Sequence, residues 1–127
     1  MDVTGLDMLQ ISKLMETCLA EHFAGHSIIS DSNGIFQEVI LLAFDEIEHL
    51  LVQPVGERLF NNGDWFFGAS GFIELCNNSD GSTENYTVML VMNTDHDRLF
   101  YLYASKRDAA GNEVNILIKD FTQNSVV

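Results

Sequence analysis

At 127 residues, with 46% hydrophobic and 10% aromatic side chains, the chain has the length of one ordinary domain and enough apolar material for a sizeable core, which excludes global disorder. Against 19 Asp plus Glu stand only 6 Lys plus Arg, a formal charge of -13, so a phosphate backbone would meet like charge over most of the surface and no direct nucleic-acid binding is expected. There is no basic N-terminal start, no apolar run near the roughly 20 residues a membrane helix needs, and no lipidation motif, so a cytoplasmic protein without membrane attachment, one domain over residues 1-127, is expected.

From Asp7 to Phe23 the residues Met8, Ile11, Met15, Cys18, Leu19, His22 and Phe23 recur at steps of three and four, which gathers them on one side of a helix. Gly25 stands where a left-handed C-terminal residue belongs, and Ser27-Ile28-Ile29 reads as a linker or edge strand. Asp31 and Ser32 offer N-cap oxygens to a second segment, Asn33 to Val52. There Phe36, Val39, Ile40, Ala43, Ile47, Leu50 and Leu51 fit a helical stripe, although Val39-Ile40-Leu41-Leu42 fits a buried strand equally well. Its length, and Pro54 closing the pattern, favour a helix, with a short helical turn following at Glu57 to Phe60.

Beyond the turn cluster Asn61-Asn62-Gly63-Asp64 the texture changes to short apolar runs between turn residues. Strands are expected at Trp65 to Cys76, Asn85 to Asn93, Arg98 to Ser105 and Val114 to Phe121, joined as an antiparallel meander. Gly68 and Gly71 predict a bend, bulge or split in the first of these. The expected fold is therefore α+β, two N-terminal helices followed by an antiparallel meander of about four strands. The strand around Tyr86 to Met92 is apolar on both sides, as is Leu99 to Ala104, so both faces of the sheet need a cover, from the chain or from a partner.

Candidate chemistry is sparse. Cys18, His22 and His26 lie four residues apart, but Gly25 ends the helix before His26 and Cys18 belongs to the apolar stripe, so no zinc site is expected. Cys18 and Cys76 stand outside any C-x-x-C pattern and read as two small hydrophobes rather than a disulfide. Glu46-Ile47-Glu48-His49 is half of a carboxylate-bridged metal motif whose second copy is missing. Asp95-His96-Asp97 falls where hairpin chemistry favours Asp, and the polar loop Asn77 to Glu84 lacks the ligand alternation of a calcium loop. No nucleotide or nucleophile-elbow motif occurs. The expectation is a non-enzyme without metal or cofactor, the alternative being a metal-assisted hydrolase.

The acids are not confined to a tail: residues 1 to 60 carry a net -8 and residues 61 to 127 a net -5. A surface negative throughout opposes compactness by self-repulsion but accelerates capture of a cationic protein. Acids on helix faces and hairpin tips can reach such a partner without disturbing the core. The expected contact residues are Asp45, Glu46 and Glu48 together with Asp80, Glu84, Asp95 and Asp97, with Trp65, the sole tryptophan, as an apolar anchor. In size, charge and helices-then-meander order the chain resembles the immunity proteins of bacterial toxin systems, including those of contact-dependent growth inhibition. That resemblance implies a basic toxin domain, often a nuclease, as partner. The same electrostatics would suit a phage nucleic-acid mimic of the antirestriction or anti-CRISPR kind, and self-association remains open.

Overall fold

The computed structural model describes residues 2-43, 45-47, 65-95 and 97-121. It is an α+β arrangement of one N-terminal helix, α1 (Met8–His22), and a six-stranded antiparallel sheet. The strands are β1 (His26–Ile29), β2 (Phe36–Ala43), β3 (Trp65–Asn77), β4 (Thr83–Met92), β5 (Leu99–Arg107) and β6 (Glu113–Asp120).

The helix stands where the apolar period puts it. Asp7 caps it with a capping box: its carboxylate accepts from the Gln10 amide at 2.8 Å, and the Gln10 side-chain oxygen accepts from the Asp7 amide at 2.9 Å. Ile11, Ser12, Met15 and Leu19 are buried, whereas His22 stands exposed at the last turn. Gly25 takes φ 86°, and the chain turns directly into β1, so Ser27-Ile28-Ile29 is indeed an edge strand.

The second segment corrects the sequence reading: residues 36-43 form a strand, not part of a helix over Asn33 to Val52. Asp31 does not cap a helix, because its carboxylate accepts from the Asn33 amide at 2.9 Å inside a tight turn. Gly34 donates to the Asp31 carbonyl at 3.0 Å in that turn, with φ 104°. The physical reason lies in β3. Its 13 residues outrun the four of β1, which pairs with its C-terminal part from Glu74 to Asn77, and β2 completes the same edge from Trp65 to Gly71. Among the described residues after β2, helical backbone is found at Asp45, Glu46 and Ile47. The expected turn at Glu57 to Phe60 and the cluster 61-64 lie outside the described residues.

The meander β3-β4-β5-β6 follows the predicted order, but with β1 and β2 the sheet has six strands rather than about four. The expected irregularity at Gly68 and Gly71 sits in the neighbour instead: β3 runs unbroken, while β2 bulges between Phe36 and Glu38. A side chain at Gly71 would overlap the Ile35 carbonyl oxygen, so this glycine is the seat on which the chain crosses from β1 to β2.

Both sheet faces are covered over part of their area. On one, α1 presses Ile11, Met15 and Leu19 against Ile73, Leu75, Val88, Leu90, Leu102 and Ala104. On the other, Leu42, Ile47, Phe66, Val91, Phe100, Tyr101 and Tyr103 form a second cluster. Cross-strand rows fix which side each residue takes. Ala69, Leu90 and Leu102 form one row on the α1 face, while Ser70, Met89, Tyr103 and Leu117 form one on the opposite face.

Candidate interaction surface

The sheet divides the expected contact residues into two groups. Ala43 pairs with Trp65, Phe67 with Met92, and Met92 with Leu99, so the exit of β2, the start of β3 and the β4-β5 turn share one end. Asp45, Glu46, Trp65, Asp95 and Asp97 belong to that end. Asp80 and Glu84 belong to the other, at the β3-β4 hairpin. Thirteen strand residues at ~3.3 Å each put about 40 Å between the two ends. Glu48 and His96 lie outside the described residues.

At the first end Asp45, Glu46 and Asp95 are exposed, and Trp65 is 54% exposed. Beside Trp65 on the α1 face, Val39 and Leu41 also stand exposed on the outer strand β2. Asp97 instead holds the fold together. Its carboxylate accepts from the Asn93 side-chain amide at 2.6 Å, and its backbone carbonyl accepts from the Val3 amide at 2.7 Å. These bonds close the β4-β5 turn and tie down the N-terminal segment.

At the hairpin end Asp80 accepts from the Ser82 amide at 2.9 Å and hydroxyl at 2.7 Å, which holds its carboxyl below the ordinary aspartate value. Glu84 accepts from the Tyr86 hydroxyl at 3.0 Å and from the Lys106 ammonium at 3.4 Å, and its carboxyl is lowered by Tyr86 first and Lys106 second. Lys106 also sits 5.6 Å from the centre of the Tyr86 ring. Glu84, Tyr86 and Lys106 thus form a small polar cluster across β4 and β5.

Sequence reasoning passed over Phe72. It lies on the face opposite α1, in a row with Thr87, Ser105 and Asn115, and is 68% exposed. In the sequence it is one of several aromatics after Trp65. Only the register shows that it faces away from the helix and that its row neighbours are small and polar.

The expected non-sites fall as follows. Cys18 and Cys76 are free and half-buried, and burial raises the Cys18 thiol. The ring of His26 faces the Ala24 carbonyl at 3.4 Å. Among the described residues no group of three or more His, Cys, Asp or Glu is placed to hold a metal ion, and no helix is long and apolar enough to cross a membrane. Compared with family models, curated proteins and solved structures, the chain matches none.

Proposed function

We propose that the protein binds a basic protein toxin, of the kind exemplified by nucleases, and neutralises it as an immunity protein without chemistry of its own. The observation that supports this reading is the placement of charge: every described carboxylate is exposed or half-buried, none is sunk in the core, and the chain carries -13. Such a surface steers a cationic protein into encounter, and carboxylates at both ends of the sheet are positioned to pair with Lys and Arg. A standard interface covers about 800 Å² of each partner, on the order of 30 Å across, so a single contact of that size does not span both ends. Asp45, Glu46, Asp95 and Trp65 on one side, and Asp80 and Glu84 on the other, are therefore alternative contact regions.

Co-expression with the product of the adjacent upstream gene tests the function. Rescue of growth together with a one-to-one complex, whose association slows as salt rises, is the expected outcome. Recovery of a restriction or CRISPR effector in its place would assign the protein to nucleic-acid mimicry, and recovery of its own copies alone would make it a homo-oligomer. Stoichiometric metal in the purified protein, with turnover lost on its removal, would replace the binding reading by a metal-assisted hydrolase.

A further inference from the structure

We propose that the basic partner seats on the sheet face opposite α1, toward the hairpin end, with Phe72 as its apolar anchor; this rests on the binding function proposed above. Among the described residues Phe72 is the most exposed of the large apolar side chains, although β3 lies inside the sheet between the β1-β2 edge and β4. Its row neighbours Thr87 and Ser105 are short and polar, so the ring stands above its surroundings. An open depression lies on each side of it. The larger, about 630 Å³, extends toward β5 and β6, where Arg107 and Glu113 line it. The smaller, about 560 Å³, extends toward β1, where Ile29, Asp31 and Glu74 line it.

An aromatic ridge between two hollows, ringed by charge, has the shape of an interface hot spot. The ring of charge selects the occupant. Of the charged residues that line the two hollows, the acids Asp31, Glu74, Glu84 and Glu113 outnumber the cations Lys106 and Arg107. Lys106 is paired with Glu84 at 3.4 Å, and Arg107 already donates to the Gly111 carbonyl at 3.2 Å. The complementary surface is a protein with an apolar pocket for the ring and Lys or Arg about it. A second copy does not fit that description, because it would bring -13 against -13. Glu84 borders the larger hollow, but register turns its carboxylate to the α1 face, where it meets Tyr86 and Lys106. The hairpin acids therefore flank this surface rather than form it, and the Trp65 end is remote from it.

Calorimetry and stopped-flow binding to the purified product of the upstream gene test the assignment, with circular dichroism confirming each variant's fold. Phe72→Ala is expected to weaken binding about 100-fold, chiefly through faster dissociation. Glu74→Lys with Glu113→Lys is expected to slow association and flatten its salt dependence. Asp45→Lys with Glu46→Lys should leave both constants within about threefold, the size of a rim effect. If Phe72→Ala does not fold, Thr87→Lys places bulk and like charge in the same row and is expected to lose at least about tenfold. A complex that tolerates the row variants overturns the surface and leaves the function standing.

Absence of any complex with the wild-type chain overturns the function instead. The surface is then judged by nuclear magnetic resonance titration with a Lys/Leu amphipathic peptide. Shifts centred on Phe72, Thr87 and Ser105 sustain it, while shifts centred on Trp65 or spread evenly overturn it.

Discussion

Tyr103 carries a hydroxyl that the second core cluster leaves unsatisfied: the residue is 2% exposed, and its oxygen has no hydrogen-bond partner among the described residues. Burial first, then Tyr101 and Asp120, pushes its phenol well above the ordinary tyrosine range, so the group stays neutral. A buried hydroxyl without a partner forfeits its hydration, and Tyr103→Phe is expected to raise stability by about 1 kcal/mol, read as a higher urea midpoint at unchanged slope. Glu84 behaves in the opposite sense. Its folded pKa lies below the unfolded value, so its contribution is complete above the ordinary glutamate range and disappears as pH falls through the lowered value. The group is exposed and screened, so the effect stays under about 1 kcal/mol. The melting temperature of the wild type is expected to exceed that of Glu84→Gln slightly at neutral pH and to converge with it in acid. Neither property is legible in the sequence, because a lone Tyr or Glu in a strand does not show which neighbours the register gives it.

Among the elements, α1 is readable from the sequence because its apolar residues return every three or four positions and Asp7 precedes them. Leu19 is fully buried against the sheet, and Leu19→Ala is expected to cost about 2 to 5 kcal/mol in chemical denaturation. The segment from Phe36 onward is not readable in the same way, because its apolar run satisfies a helical stripe and a strand alike. The run becomes β2 only because β3 is long enough to present an unpaired edge. Gly71 records that choice in one residue. Gly71→Ala would set a methyl against the Ile35 backbone oxygen, which cannot rotate aside, and is expected to cost about 3 kcal/mol or more. A cost below about 1 kcal/mol would mean that the β1-β2 crossing is free to shift.

For the molecule as a whole, the charge that opposes compactness is the same charge proposed to steer the partner. Raising salt is therefore expected to stabilise the free protein while slowing association with the basic partner, a pair of opposed trends that unfolding and stopped-flow measurements separate. The candidate surface is legible in the sequence only in part. Exposed acids at loop tips follow from composition and turn chemistry, and Asp80, Asp95 and Trp65 are exposed in the structure. Asp97 looks equivalent in the sequence, but its carboxylate accepts from the Asn93 side-chain amide while the Asn93 side-chain oxygen accepts from the Asp97 and Arg98 amides, so it is engaged in closing the turn.

Chain periodicity by itself determined α1, the four strands from β3 to β6 and their antiparallel order, since hydrophobic spacing and short polar turns are local properties of the chain. Net charge is likewise a property of composition. Tertiary structure alone decided that β2 is a strand, that the predicted contact residues lie at opposite ends of a 13-residue strand, and that Phe72 faces away from α1. The reason is the period-two geometry of a sheet: which face a side chain takes depends on register against its neighbours, and register is set by pairings between residues far apart in the sequence.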